Sequence, residues 1–270
     1  MYSHDWVVSS HATLRGAVLG EGDPVVFLHP SICDSRVWRV QLDGVAATKK
    51  AIVYDRRGFG RTRAEKEDFS SVADLMAVLQ ATAPGEPAVL VGCSQGGRIA
   101  IDTALLHPEA VRALVLISPS VAGAPEVSHS ADISSLLAQQ ETAEVSGDMD
   151  RLNAVKARLW LDGPLQPEGR VGEKQRDLFL DMNAIALRSP PVGVNVDAVS
   201  AFDRLGEIAV PVLVICGEFD FPHIQERCRQ IASLLPNGTF LALNDAAHVP
   251  SLDRPEALAH LIIEFIESLP

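Results

Sequence analysis

The chain has 270 residues, 47% of them hydrophobic, enough to enclose one large core or a core with a modest inserted lobe. Its 35 acidic and 23 basic residues give a formal charge of −12, which repels phosphate backbones and anionic lipid surfaces and so argues against nucleic acid and membrane partners. No apolar run is long enough to span a bilayer and no segment has the build of a cleaved leader, so the expectation is a soluble, cytoplasmic protein.

The segments around Trp6-Val7-Val8 and Ala17-Val18-Leu19 read as an opening hairpin. Val25 to Leu28, Ala51 to Tyr54, Ala88 to Val91, Leu114 to Ile117 and Val212 to Ile215 are short, nearly unbroken apolar runs, as expected of strands covered on both faces of a parallel sheet. Phe240 to Leu243 completes the series. Between these runs, Val72 to Leu79, Gly97 to Leu106, Ile224 to Leu235 and Ala257 to Ile266 carry apolar residues at helical spacing. The alternation predicts an α/β fold built from βαβ units.

One stretch breaks the pattern. Residues 121–205 lack strand-like runs; the helices expected there are Ile133 to Gln140, Met149 to Leu161 and Gln175 to Leu187, separated by breakers at Gly163-Pro164, Pro167 and Pro190-Pro191. This divides the chain into a core of residues 1–120 and 206–270 and a helical cap of residues 121–205. Such a lobe can cover a pocket, exclude water and select substrates.

The chemistry concentrates where the Ala88 to Val91 run ends, in Gly92-Cys93-Ser94-Gln95-Gly96-Gly97. A G-x-S-x-G between an apolar strand and a helix is a nucleophile elbow, whose turn admits only small residues at Gly92 and Gly96 and thrusts the serine hydroxyl above the sheet. A hydroxyl is a poor nucleophile at neutral pH and needs a base, with a carboxylate to orient it. In this architecture the acid and then the histidine follow the serine on later strand ends, which selects Asp220 and His248. His223 is the rival base and Glu218 and Asp245 are the rival acids; the other histidines, His4, His11, His107, His129 and His260, read as structural or solvated. Cys93 borders the nucleophile but reads as a small buried residue. Two amides would hold the oxyanion: that of Gln95 at a helix N-terminus, and one from the loop after the first central strand, for which Ser31 is the choice.

The four cysteines, Cys33, Cys93, Cys216 and Cys228, form no CxxC pair and do not cluster with histidine, so neither a metal site nor a disulfide framework is expected. The glycine-bearing, basic segment Asp55 to Thr62 lacks the spacing of a P-loop or a dinucleotide fingerprint and reads as a turn braced by Asp55 and Arg57. No cofactor is implied.

Five motifs in order carry a resemblance: Phe27-Leu28-His29-Pro30 with Trp38 nine residues after the histidine, Asp55 to Thr62, the elbow, Gly217-Glu218-Phe219-Asp220, and Ala247-His248-Val249-Pro250. Over nearly its whole length the chain resembles the lidded α/β-hydrolases, in the flavour of enol-lactone hydrolases, small esterases and carbon–carbon bond hydrolases. The resemblance implies the α/β-hydrolase fold, a mostly parallel eight-stranded sheet flanked by helices with a helical cap after the sixth strand. It also implies hydrolysis of a small ester or lactone through an acyl-enzyme. The alternatives are cleavage of a carbon–carbon bond in a diketone by the same triad, and a weakly catalytic small-molecule receptor. Relatives that act on alkyl halides or epoxides carry aspartate at the elbow, so Ser94 points to attack on a carbonyl. The family usually has His-Gly where this chain has His29-Pro30, a departure that bears on the oxyanion loop and the pocket beside Ser31 and Cys33. His29, Cys33, Trp38 and Trp160 are the candidates for the substrate pocket; Leu136 and Phe179 are cap residues that could join it.

Overall fold

The apolar runs form the centre of a single sheet in a computed structural model that describes residues 6–270; His4 lies outside the described residues. The strands are β1 (Trp6–Ser9), β2 (Ala12–Leu19), β3 (Pro24–Leu28), β4 (Lys50–Asp55), β5 (Arg63–Ala64), β6 (Ala88–Cys93), β7 (Val111–Ile117), β8 (Val212–Gly217) and β9 (Gly238–Leu243). Their order is β1-β2-β4-β3-β6-β7-β8-β9, with β5 paired to β2. The expected opening hairpin is present, with Trp6 opposite Arg15 and Ser9 opposite Ala12. β2 is longer than its apolar part, Ala17 to Leu19, suggests, because its N-terminal half, Ala12 to Arg15, pairs antiparallel with β1, while Arg15 to Leu19 pair antiparallel with β4. From β4 through β3, β6, β7 and β8 to β9 every pairing is parallel. The strand beyond the expected eight is the two-residue β5, held only by Ala12–Ala64 and Thr13–Arg63 pairing.

The helices are α1 (Arg39–Val45), α2 (Ser71–Thr82), α3 (Gln95–Leu106), α4 (Ala131–Ser146), α5 (Met149–Lys156), α6 (Glu173–Arg188), α7 (Pro222–Leu234), α8 (Pro250–Asp253) and α9 (Pro255–Glu267). Because successive strand residues face opposite ways, the sheet builds two cores. On one face Val26, Leu28, Ile52, Leu90, Leu114 and Val214 pack with Leu75 of α2, Ile99 of α3 and Ile231 of α7. On the other, Val25, Phe27, Val53, Val91, Val115 and Ile215 pack with Leu42 of α1 and Leu258 and Ile262 of α9.

The segment between β7 and β8 is helical, as expected, and leaves the sheet after the sixth strand if the short β5 is set aside. Its details differ from the periodicity. The helix expected over Met149 to Leu161 stops as α5 at Lys156 and continues as a π-helical turn, Ala157–Asp162. α4 runs past Gln140 to Ser146 and ends at Gly147, whose φ of 72° provides a left-handed cap. Ala157, Leu161, Phe179 and Met182 of this segment belong to the same apolar cluster as β3, β6 and α9, so the insertion is continuous with the core on that face. Phe179, a candidate for the pocket, is fully buried in that cluster, whereas Leu136 joins a smaller one with Ile133, Leu159 and Phe221.

Register brings the functional strand ends together. Leu28 lies opposite Gly92, Cys93 opposite Ile117, Ile117 opposite Ile215, and Gly217 opposite Leu243. The C-terminal ends of β3, β6, β7, β8 and β9 therefore form one rim, where open α/β sheets carry their sites.

Candidate active site

Ser94 sits between β6 and α3 with φ 52° and ψ −115°, a conformation that side chains other than glycine rarely adopt. Its surroundings hold it there. A Cβ on Gly92 would lie 2.5 Å from the Gly96 carbonyl oxygen, one on Gly96 would lie 2.1 Å from the Leu28 carbonyl oxygen, and one on Gly97 would lie 2.7 Å from Pro119 Cβ. The elbow thus presses backbone against backbone at both flanking glycines. The Ser94 amide donates to the Ile117 carbonyl at 2.9 Å, and its own carbonyl accepts from the amides of Arg98 and Ser120, each at 3.1 Å. The side chain of this half-buried residue is not tied down: among the described residues Oγ has no hydrogen-bond partner.

Asp220 and His248 meet as the order of motifs predicts. His248 Nδ1 donates to Asp220 Oδ2 at 2.8 Å, with both side chains almost wholly buried. The other carboxylate oxygen accepts from the Phe221 amide at 2.7 Å. The two loops are tied to each other directly, since the Glu218 amide donates to Leu243 at 3.0 Å and the Phe219 amide to Ala246 at 2.8 Å. The histidine loop also rests on the elbow, where Cys93 Sγ lies 3.5 Å from the His248 carbonyl oxygen. With Nδ1 committed to the carboxylate, Nε2 is the nitrogen left to exchange a proton. Among the described residues no hydrogen bond joins His248 to the Ser94 hydroxyl.

The rivals fall elsewhere. Glu218 and Asp245 are exposed and lie beside each other, the Asp245 amide donating to a Glu218 carboxylate oxygen at 3.3 Å. His223 stacks edge-on against His129, ring centroids 4.9 Å apart, and burial together with the neighbouring His129 lowers its pKa. Burial pushes the Cys93 thiol well above its ordinary range and Asp220 adds to this, so the thiolate that a cysteine nucleophile requires is disfavoured.

The oxyanion candidates lie on adjoining backbone. Gly96 touches the Leu28 carbonyl, so the loop after β3 abuts the first turn of α3. That loop turns through a Cys33 amide to Pro30 carbonyl bond of 3.3 Å and leaves Ser31 exposed. The amide of Gln95, first residue of α3, precedes the helix's internal bonding, and the Ser31 amide has no acceptor among the described residues.

Of the residues expected in the pocket, His29, Cys33 and Trp38 have no exposed surface. His29 Nε2 accepts from the Arg56 amide at 3.0 Å, which fixes the proton on Nδ1, and Nδ1 donates to the Pro30 carbonyl at 2.9 Å. Burial, then the Arg56 charge, lowers its pKa well below the usual value, so it braces the loop as a neutral imidazole. Trp38 packs on Phe27, centroids 5.5 Å apart. Asp55 accepts from the amides of Ser35 at 2.9 Å and Arg61 at 2.8 Å, and Arg57 forks onto Asp74, so the Asp55 to Thr62 segment is a braced turn as expected. Trp160, the fourth candidate, lies in the π-helical turn with its ring 4.6 Å from that of His248 and 4.7 Å from Phe221. Phe221 was missed by sequence reasoning; its only signal is adjacency to Asp220. Among the described residues no three His, Cys, Asp or Glu side chains are grouped to hold a metal ion, and no helix is long and apolar enough to cross a membrane.

Comparison with known proteins identifies the family and the fold. The pimeloyl-[acyl-carrier protein] methyl ester esterase of Yersinia enterocolitica is 25% identical over 260 residues, 93% of this chain and 96% of the relative. The crystal structure of the enol-lactonase from Burkholderia xenovorans LB400 superposes with a TM-score of 0.77 at 22% identity, covering 98% of this chain and 100% of the other. That of a bromoperoxidase from Bacillus anthracis gives a TM-score of 0.78 at 19% identity over 98% of this chain and 100% of the other. Residues 25–261 match the alpha/beta hydrolase family, and the chain is a member of that family of enzymes, with its fold.

Proposed function

We propose that this hydrolase uses Ser94 as a nucleophile on the carbonyl of a small ester or lactone and works through an acyl-enzyme. The observation that carries the reading is the buried 2.8 Å His248–Asp220 pair resting against a strained serine elbow. His248 Nε2 takes the Ser94 proton as Oγ attacks, and the Asp220 carboxylate orients the ring and stabilises the imidazolium that forms. The amides of Gln95 and Ser31 receive the oxyanion, the first backed by the dipole of α3. His248 then protonates the leaving alkoxide. Water, activated by the same imidazole, attacks the acyl carbon and releases the acid with Ser94 regenerated.

Residues 121–205 act as the cap in this reading, with Trp160 as its contribution to the wall beside His248. The methyl ester esterase among the relatives supports an ester carbonyl as the point of attack. All four cysteines are buried free thiols, which supports a reducing compartment such as the cytoplasm. The test is a panel of p-nitrophenyl esters, lactones and 1,3-diketones, run with the wild type and with Ser94→Ala. Turnover of esters or lactones that the variant lacks is the expected result. Diketone cleavage alone would move the activity to carbon–carbon bonds, and undiminished ester turnover in Ser94→Ala would refute the serine mechanism.

A further inference from the structure

The mechanism leaves a part-buried ionic network around Arg170 without a role. Arg170 lies in the loop between the π-helical turn and α6, and its guanidinium has five N–H donors. Five acceptors surround them. Nε donates to the Asp162 carbonyl at 2.7 Å and Nη2 to the Leu161 carbonyl at 3.1 Å, which closes the end of the turn that carries Trp160. Nη1 donates to the Asp245 carbonyl at 3.0 Å, and the fork of Nη1 and Nη2 grips both carboxylate oxygens of Asp253, the first at 3.0 Å. The same guanidinium lies over the Phe219 ring, 5.0 Å from its centre, one residue before Asp220. Asp253, nearly fully buried, also accepts from the Ala247 amide at 2.8 Å, one residue before His248. The contact is close in the backbone too, since a Cβ on Gly163 would lie 2.5 Å from the Phe219 carbonyl oxygen. The loop bearing Arg170 is itself anchored, because the Asp162 carboxylate accepts from the amides of Gly169 at 3.0 Å and Val171 at 3.2 Å and pairs with Arg176.

We propose that Arg170 is a positioning residue that, with Asp253, locks the acid loop, the histidine loop and the Trp160 turn into one unit and so sets the place of the His248 imidazole relative to Ser94. A bidentate, fully satisfied guanidinium fixes both distance and plane, which a lysine cannot do. The inference rests on the Ser94–His248–Asp220 reading.

The test uses the rate at which a fluorophosphonate labels Ser94, which depends on His248 as base and requires no knowledge of the substrate, alongside kcat and KM on a p-nitrophenyl ester. Arg170→Met is expected to slow labelling and kcat by about 10–100-fold with KM changed far less, the scale of a misplaced catalytic group. Arg170→Lys should recover only part of the loss. Asp253→Asn should slow both by a similar factor, and the double variant should be no slower than the worse single one, because the two residues act as one unit. Near-UV circular dichroism identifies folded protein; if Arg170→Met does not fold, the comparison is read on Arg170→Lys and Asp253→Asn. Labelling of the folded variants at the wild-type rate, with the wild type labelled at Ser94, would overturn the clamp alone. A wild type that turns over substrate but takes no label at Ser94 would overturn the serine reading and the clamp with it.

Discussion

Replacing Ser94 by glycine should leave the protein more stable than replacing it by alanine, the reverse of the usual order. At φ 52° and ψ −115° a side chain other than glycine costs about 1–3 kcal/mol of backbone strain. Alanine keeps the offending Cβ and removes only an Oγ that has no hydrogen-bond partner among the described residues, so Ser94→Ala should stay within about 0.5 kcal/mol of the wild type. Glycine removes the Cβ and gains the strain energy, less about 0.5–1 kcal/mol for the greater freedom of the unfolded chain. Ser94 makes no side-chain capping bond to α3, so no cap is forfeited in either variant. Nor can the elbow relax around alanine, since Gly92 and Gly96 already touch opposing backbone. The net expectation is about 1 kcal/mol in favour of Ser94→Gly, some 2–4 °C in melting temperature, measured by urea and thermal unfolding of the two variants side by side. Glycine less stable than alanine by about 1 kcal/mol, as in an ordinary helix, would refute the claim that strain is stored at this residue.

Other outcomes follow from the same geometry. Asp220→Asn should lower kcat by about three to four orders of magnitude while leaving KM and the melting temperature close to wild type, because the amide orients the imidazole in the wrong tautomer; steady-state kinetics checks this. Phe179→Ala should cost about 3–5 kcal/mol in urea unfolding, since the ring is fully buried where the insertion meets the core. Burial raises the Asp102 pKa to about 6 from an unfolded value near 3.8, so stability is unaffected below about pH 4, falls as pH rises through 6, and is then lower by up to about 3 kcal/mol. Asp102→Asn should therefore stabilise the protein at pH 8 and give no gain at pH 4, and a difference independent of pH in urea melts would contradict the assignment.

The parts of this fold legible in the sequence are those fixed by local pattern. Strands such as Val25 to Leu28 and Leu114 to Ile117 are apolar at every position because both faces of the sheet are covered, and G-x-S-x-G declares the elbow because only glycine tolerates the backbone contacts at Gly92 and Gly96. What escaped depends on partners distant in sequence. β5 is two residues long and exists only through its pairing with β2. The π-helical turn at Ala157–Asp162 follows a normal helical periodicity, and nothing in that spacing distinguishes a widened turn. His29 and Asp253 are polar residues with buried side chains, held by Arg56 and Arg170 respectively, and hydropathy assigns such residues to the surface. Arg170 itself lies in a glycine- and proline-rich loop, 83 residues from the carboxylate it grips, with no local signal at all.

The acyl group itself offers the most direct measurement. Wild-type enzyme mixed with p-nitrophenyl acetate, quenched in acid during turnover and digested for mass spectrometry should carry acetyl on the Ser94 hydroxyl and nowhere else, and Ser94→Ala should carry none and turn over no ester. Acetyl found on Cys93 or another residue, or turnover that continues in Ser94→Ala, would contradict the account.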